Sequence, residues 1–145
     1  MKIIQIKQHL DFLESEMKDW NDYSSLTWNE YSADRKKRRE VERWIENLIN
    51  SSIDMAKLVL YLKEISLPES YTKIVAALDL VEPFSPHGKG LSKWVKLRNV
   101  ITHEYLDIRW ESIKDFIKEA KPLYEKFLGK PKEFIDKETR DEAIT

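Results

Sequence analysis

Apolar residues recur at helical spacing through the first half of the chain. In the first twenty residues they fall every three or four positions, which places one apolar stripe on a helix. The stripe consists of Ile3, Ile6, Leu10, Leu13, Met17 and Trp20. A second stripe stays in phase from Val41 to Leu62, so we predict one long helix from about Ala33 to Ile65. The polar stretch between the two stripes, residues 21–27, is predicted to be a loop.

The middle of the chain has shorter patterns and more breaks. The sequence Ser66-Leu67-Pro68-Glu69 resembles a capping box with an early proline. It precedes a short apolar stripe from Tyr71 to Leu78, which predicts a short helix. Residues 82–90 contain two prolines and two glycines and are predicted to be a loop.

The last part of the chain predicts two more helices and a tail. One helix carries Leu91, Trp94, Leu97 and Ile101 on one face, and the next begins at Asp107 as its N-cap and carries a kink or break at Pro122. Beyond Gly129 the sequence is strongly charged, and we expect this tail to fray. Its two apolar residues Phe134 and Ile135 are expected to dock on the body of the protein. No repeat or linker divides the chain, and we therefore expect a single domain over residues 1–145, with a charged tail from about 130.

Composition agrees with an all-α fold. Of 145 residues, 41% are hydrophobic, 35% are charged and only 3 are glycine, which favours long helices over a turn-rich β fold. The chain has no cysteine, which excludes disulfides and thiolate chemistry. It has no apolar segment long enough to cross a bilayer and no signal-peptide pattern, so we expect a cytoplasmic protein that does not contact a membrane.

The net charge limits the ways in which the chain can attract nucleic acid. The formal net charge is -1, so any attraction to RNA must come from a local patch. The basic run Arg35-Lys36-Lys37-Arg38-Arg39 is a candidate for such a patch. The alternative is a solvated helix face, since Asp34 and Glu40 flank the run.

The segment from Leu97 to Tyr105 carries the candidate chemistry. On an ideal helix Arg98 and Thr102 lie about 40° apart, as do Asn99 and His103, so the four polar residues share one arc. RNA supplies its own nucleophile, the 2′-hydroxyl, and its cleavage needs a base near neutral pH and a cation at the phosphate. We predict His103 as the base and Arg98 as the phosphate-binding cation, with Asn99 and Thr102 in support and no metal or cofactor.

Other candidate residues are weaker. His9 and His87 have no metal-ligand spacing to each other or to His103. Glu42 and Asp54 lie about 18 Å apart on one helix face and cannot share an ion. We expect Glu42 to pair with an arginine across the bundle, and the role of Asp54 stays open. The plain alternative for Arg98 and His103 is that they are surface or capping groups, because a histidine at a helix C-terminus is favoured by the helix dipole.

The pattern of Arg98, four residues and His103 resembles the signature of the HEPN superfamily. With Tyr105 two positions later it resembles the HepT toxins of HepT–MntA toxin–antitoxin pairs. Three further segments resemble HepT sequences in the same order, and together with the signature they span residues 41–117. They are Val41-Glu42-Arg43, Ile53-Asp54-Met55-Ala56 and Leu67-Pro68-Glu69-Ser70-Tyr71.

The resemblance implies a HEPN-like, up-and-down bundle of about five helices that forms a homodimer with a composite cleft. Since Arg98 and His103 lie about 140° apart on an ideal helix, either a second subunit or a helix end between them is needed to unite them on one phosphate. The resemblance also implies an MntA-like nucleotidyltransferase antitoxin that transfers AMP to Tyr105 and blocks the RNA site.

The function predicted from these observations is a metal-independent endoribonuclease toxin. One alternative is a non-catalytic helical subunit that binds nucleotide through Arg98 and His103 and presents a substrate to a nucleotidyltransferase. A plain dimeric scaffold is the third reading.

Overall fold

The computed structural model describes residues 2–144, without the side chains of residues 143 and 144, and this part of the chain is helical with no β-strand. The helices are α1 (Lys2–Met17), α2 (Trp20–Ser24), α3 (Trp28–Ala33), α4 (Arg35–Leu62), α5 (Tyr71–Ala76), followed by a 3₁₀ turn (Ala77–Leu80), α6 (His87–Ser92), α7 (Leu97–His103), α8 (Leu106–Phe127) and α9 (Gly129–Ile144). The predicted all-α fold is therefore confirmed.

The long helix α4 organises the bundle. It packs against α1 along one side and against α3, α5 and α7 elsewhere, while α8 packs on α6, α7 and α9. The core between them contains large aromatic side chains, and two of its tryptophans have backbone partners. The indole N–H groups of Trp20 and Trp44 donate to the carbonyls of Ile117 at 2.9 Å and Glu16 at 2.8 Å. Such pairing removes the cost of burying these donors.

A buried hydroxyl explains why α4 continues through Asn50-Ser51-Ser52. The Ser52 hydroxyl donates to the Leu48 carbonyl at 2.7 Å and lies 3.1 Å from the Tyr124 hydroxyl of α8. A serine inside a helix is tolerated when its side chain bonds back to the preceding turn. The predicted long helix is confirmed, with its ends two or three residues inside the predicted bounds.

The prediction of a loop over residues 21–27 is wrong in part. The buried Trp20 begins α2, and only a short turn separates it from α3. Thr27 and Glu30 form a reciprocal capping box that starts α3. This threonine and glutamate have the capping-box spacing, which is visible in the sequence.

The segment predicted to be a loop at residues 82–90 also contains the start of a helix. The Asp79 carboxylate accepts hydrogen bonds from the backbone N–H groups of Gly88 at 2.8 Å and Lys89 at 3.0 Å, at the beginning of α6. Gly88 is required there, because a Cβ would lie 2.8 Å from both Asp79 and the Val75 carbonyl. The helix predicted over residues 91–101 is divided into α6 and α7 by a turn.

Two predicted helix starts are wrong, and the break predicted at Pro122 does not occur. Ser70, not Ser66, caps α5 by accepting from the Lys73 N–H at 3.2 Å. Tyr105 is the N-cap residue of α8, and Asp107 lies in the first turn. Pro122 lies on an exposed side of α8, which continues to Phe127 while buried residues hold it on both sides of the proline.

The predicted charged tail is helical. Helix α9 runs to the end of the described chain, packs on α1 and α8, and buries Phe134 beside Phe84. Docking of Phe134 and Ile135 is confirmed, since Phe134 is buried and Ile135 packs against the core. The extra short helices make the bundle more divided than the predicted arrangement of about five.

Candidate active site

Helix α7 holds the signature residues and is anchored by its apolar side. Leu97 and Ile101 are buried, whereas Arg98 is half-buried and Asn99, Thr102 and His103 are exposed. α7 contacts both α4 and α8. The apolar spacing predicted from the sequence therefore directs the polar side of the helix outward.

The Arg98 side chain is held by an aromatic ring. Its guanidinium carbon lies 5.1 Å from the centre of the Tyr71 ring, and the Lys57 ammonium lies 4.9 Å from the same ring. Tyr71 is the first residue of α5, so the turn capped by Ser70 places the ring. A cation over an aromatic face is attracted by the ring quadrupole, which orients Arg98 without using its hydrogen-bond donors.

Arg98 opens into a groove that we name the Arg98 groove. Its volume is about 810 Å³, a size that accommodates a small organic ligand. Of the four polar residues predicted to share one arc, Arg98, Asn99 and Thr102 line the groove and His103 does not. Lys73 and Lys96 add positive charge, and the carboxylates of Glu46 and Glu69 also line it. The Thr102 hydroxyl donates to the Arg98 carbonyl at 2.9 Å and is thus used within its own helix.

His103 lies outside the residues that line this groove. Helix α7 is continuous from Leu97 to His103, so no helix end separates Arg98 from His103. Of the two arrangements that sequence reasoning offered for uniting them, the helix end is wrong. A second subunit stays a prediction.

Residues Glu104 and Tyr105 form the joint between α7 and α8, which we name the α7–α8 joint. Glu104 ends α7 in an extended conformation, and the Tyr105 side chain is 81% exposed. The Arg109 Nε–H donates to the Glu104 carbonyl at 2.7 Å, and its other arm forms an ion pair of 3.3 Å with the Glu42 carboxylate. The backbone between His103 and Tyr105 is therefore tied to α4.

A tyrosine completes this tie. The Tyr31 hydroxyl donates to the same Glu42 carboxylate. Burial and the bond to Glu42 raise the pKa of Tyr31 well above its ordinary value, so the phenol keeps its proton and stays a donor. The predicted pairing of Glu42 with an arginine is confirmed. Sequence reasoning missed Arg109 and Tyr31, because they lie 67 and 11 residues from Glu42 and share no periodic pattern with it.

The remaining candidates lie away from the Arg98 groove. The His9 Nδ1 is 2.8 Å from the Ser51 hydroxyl, so His9 has a structural partner on α4. Asp54 is exposed and does not line the groove. Within residues 2–144 no three side chains of the His, Asp and Glu types cluster in a way that would hold a metal ion. In the same part of the chain no helix combines the length and apolarity needed to cross a membrane.

Comparison with known families agrees with this architecture. A model of the HepT-like family, described as HepT-like ribonucleases, matches residues 13–130. The chain belongs to the HepT-like ribonuclease family. The match includes α7, the Arg98 groove and the α7–α8 joint. It supports an RNA-cleaving enzyme of the HEPN type. A search of curated proteins finds no match.

Proposed function

We propose that this HepT-like protein is the toxin of a toxin–antitoxin pair, an endoribonuclease that cleaves RNA without a metal through Arg98 and His103. The observation that carries the proposal is the placement of Arg98. Its guanidinium is held over Tyr71 in a groove that is also lined by Lys73 and Lys96 and by the carboxylates of Glu46 and Glu69. A guanidinium fixed by stacking keeps its planar fork of donors for the two oxygens of a phosphate.

His103 supplies the proton transfer in this proposal. Its imidazole is exposed at the end of α7, where a substrate can reach it, and an imidazole nitrogen can act as a general base. His103 takes the proton of the 2′-hydroxyl, and the 2′-oxygen attacks the phosphorus. The bond from phosphorus to the 5′-oxygen breaks, and that oxygen leaves with a proton from solvent. The products are a cyclic phosphate and a free 5′-hydroxyl, while Arg98 neutralises the charge that grows on the phosphate.

A homodimer is part of the proposal. His103 does not line the Arg98 groove of its own chain, and α7 is continuous between the two residues. A second copy of α7 placed at this surface brings its own His103 to the Arg98 groove. The proposal therefore predicts that the active species is a dimer and that mixed dimers of Arg98→Ala and His103→Ala chains recover part of the activity.

Tyr105 is the proposed site of neutralisation. Its hydroxyl belongs to a side chain that is 81% exposed at the α7–α8 joint, where an MntA-like nucleotidyltransferase has access to it. Transfer of AMP places a negative phosphate and a bulky nucleoside two residues from His103. The added group repels the RNA backbone and covers the cleft.

Cleavage of RNA by purified protein in EDTA tests the catalytic part. We expect His103→Ala and Arg98→Ala each to lower the rate by about 10²- to 10⁴-fold, the range for loss of a general base or of a transition-state cation. Glu111→Gln, an exposed change on α8, is the matched control. Fragments with cyclic phosphate ends support the proposed chemistry. Unchanged cleavage in both variants contradicts it, and nucleotide binding without cleavage by the parent favours the non-catalytic subunit.

Mass spectrometry after incubation with the nucleotidyltransferase and ATP tests the neutralisation. We expect an added AMP on Tyr105, loss of RNA cleavage, and neither change in Tyr105→Phe. An adenylate on another residue, or full cleavage by the modified protein, contradicts this part alone.

A further inference from the structure

The basic run at the start of α4 divides into two groups with different tasks. The Arg38 guanidinium donates to the carbonyls of Tyr31 at 3.0 Å and Ser32 at 3.1 Å, which closes the end of α3. Four other cations among the first nine residues of α4 are exposed and surround a depression of about 420 Å³. They are Arg35, Lys36, Arg39 and Arg43, and we name them the basic face of α4.

The basic face of α4 carries uncompensated charge. Glu40 is the only carboxylate among the residues that line its depression. Within residues 2–144, none of the four cations forms an ion pair with a carboxylate. A protein with a formal net charge of -1 thus concentrates positive charge at one place, which is the footprint that a polyanion recognises.

The basic face of α4 and the Arg98 groove lie along the same side of one helix. Glu46 and Asn50 of α4 line the Arg98 groove. On an ideal helix Arg39, Arg43, Glu46 and Asn50 fall within an arc of about 60°, and Arg43 lies about 10 Å from Asn50 along the axis. A strand that leaves the groove along α4 therefore passes the basic face without turning around the helix.

We propose that the basic face of α4 binds the phosphates of single-stranded RNA on one side of the cleaved bond. The inference rests on the proposed ribonuclease function and assigns a second part of its substrate site. Three of the four cations are arginines, whose planar donors match phosphate oxygens. The protein thus selects RNA long enough to reach from Arg98 to Arg43. A dinucleotide occupies the groove alone.

The salt dependence of RNA binding tests the basic face of α4 separately from catalysis. We measure the affinity of a single-stranded RNA of about twelve nucleotides for the His103→Ala protein, with and without Arg39→Gln and Arg43→Gln. Each lost phosphate contact reduces the magnitude of the negative slope of log K against log salt concentration by about 0.7, so we expect the double change to reduce it by about 1.4. Lys132→Gln with Lys137→Gln, two exposed changes on α9, is the control of equal charge and leaves the slope unchanged.

RNA cleavage by the protein that retains His103, with and without Arg39→Gln and Arg43→Gln, gives a second measurement. We expect the double change to lower the ratio of kcat/KM for the long RNA to kcat/KM for a dinucleotide about tenfold, mainly through KM. The binding result stands even where cleavage is absent, so failure of the ribonuclease proposal is separately visible. An unchanged salt slope, or no RNA binding by the parent, overturns the inference. So does a loss confined to nucleotidyltransferase binding, which assigns the surface to a protein partner.

Discussion

The two ends of α7 are built differently. At the Arg98 end the functional side chain itself is held, by the Tyr71 ring at 5.1 Å and by the walls of a groove. At the His103 end only the backbone is held, by the bond of 2.7 Å from Arg109 to the Glu104 carbonyl. The side chains of His103 and Tyr105 remain exposed.

This difference fits two different roles for the ends of α7. A phosphate-binding cation gains from being oriented before the substrate arrives, because the ordering cost is then met by folding. A residue that other molecules approach needs exposure. At the α7–α8 joint the backbone is fixed, which gives the residues a defined position, while their side chains stay exposed to other molecules. Changes at either end test this division, and the largest effect is expected where the backbone tie is cut.

Arg109→Ala removes the tie of the α7–α8 joint. It deletes a bond to a carbonyl and an ion pair with the half-buried Glu42, so we expect the free energy of unfolding to fall by about 1.5–3 kcal/mol. RNA cleavage falls as well, because the backbone that carries His103 is no longer fixed against α4. Denaturant unfolding and cleavage rates measure the two effects.

Arg109→Lys is the matched variant for this prediction. Lysine keeps the charge near Glu42 but lacks the fork that reaches the Glu104 carbonyl at the same time. We expect intermediate stability with cleavage closer to that of Arg109→Ala. Equal cleavage by all three proteins contradicts the idea that the tie positions His103.

Tyr31→Phe weakens the same tie from the other side. The lost bond to the Glu42 carboxylate lowers the free energy of unfolding by about 1–2 kcal/mol near neutral pH. The raised pKa of Tyr31 fixes the pH dependence. A group whose pKa is higher in the folded state stabilises fully below its ordinary value, about 10 for tyrosine, and loses that contribution as the pH rises further.

The difference in stability between the parent and Tyr31→Phe is therefore constant below about pH 10 and shrinks above it. Measuring the difference matters, since burial also raises the pKa of Tyr23 and raises that of Tyr124 to about 12. Those groups affect both proteins equally. A difference that does not change up to pH 11 contradicts the assigned donor role.

Tyr71→Leu acts on the Arg98 end. The leucine keeps an apolar side chain at the start of α5 but removes the ring beneath Arg98, so the cation becomes mobile. A cation over an exposed ring contributes about 0.5–1 kcal/mol, which corresponds to a fall in kcat/KM of about two- to fivefold. Tyr71→Phe retains the ring and is expected to cleave RNA like the parent. A loss of similar size in Tyr71→Phe assigns the effect to the hydroxyl instead.

Sequence reasoning predicted the long elements well and the short ones poorly. The stripes of α1 and α4 were visible because each spans several turns on one side of a core. The short helices α2 and α6 depend on single contacts, such as burial of Trp20 and the bonds from Gly88 and Lys89 to Asp79. A bond between residues nine or ten positions apart leaves no periodic trace.

The site divides in the same way. Three of the four polar residues predicted to share one arc of α7 line one groove, whereas the fourth, His103, does not. Arg109 reaches Glu42 from a different helix, and Tyr71 meets Arg98 across 27 positions. These contacts arise from packing of α5 and α8 against neighbours, which spacing within one segment does not encode. The pairing of His103 with a second subunit is likewise beyond one chain and stays a prediction.

Thr102 and Asn99 give the smallest and sharpest contrast. The Thr102 hydroxyl is already bonded to the Arg98 carbonyl, so Thr102→Val is expected to change stability by less than about 0.5 kcal/mol and cleavage by less than about twofold. Asn99 is exposed in the Arg98 groove and has its amide available for a phosphate oxygen. We expect Asn99→Ala to raise KM by about threefold to tenfold, the effect of one hydrogen bond to a charged group reduced by exposure. Measuring KM and kcat of the two variants side by side shows which of the two residues binds substrate together with Arg98. A larger effect from Thr102→Val than from Asn99→Ala would assign that role to Thr102 instead.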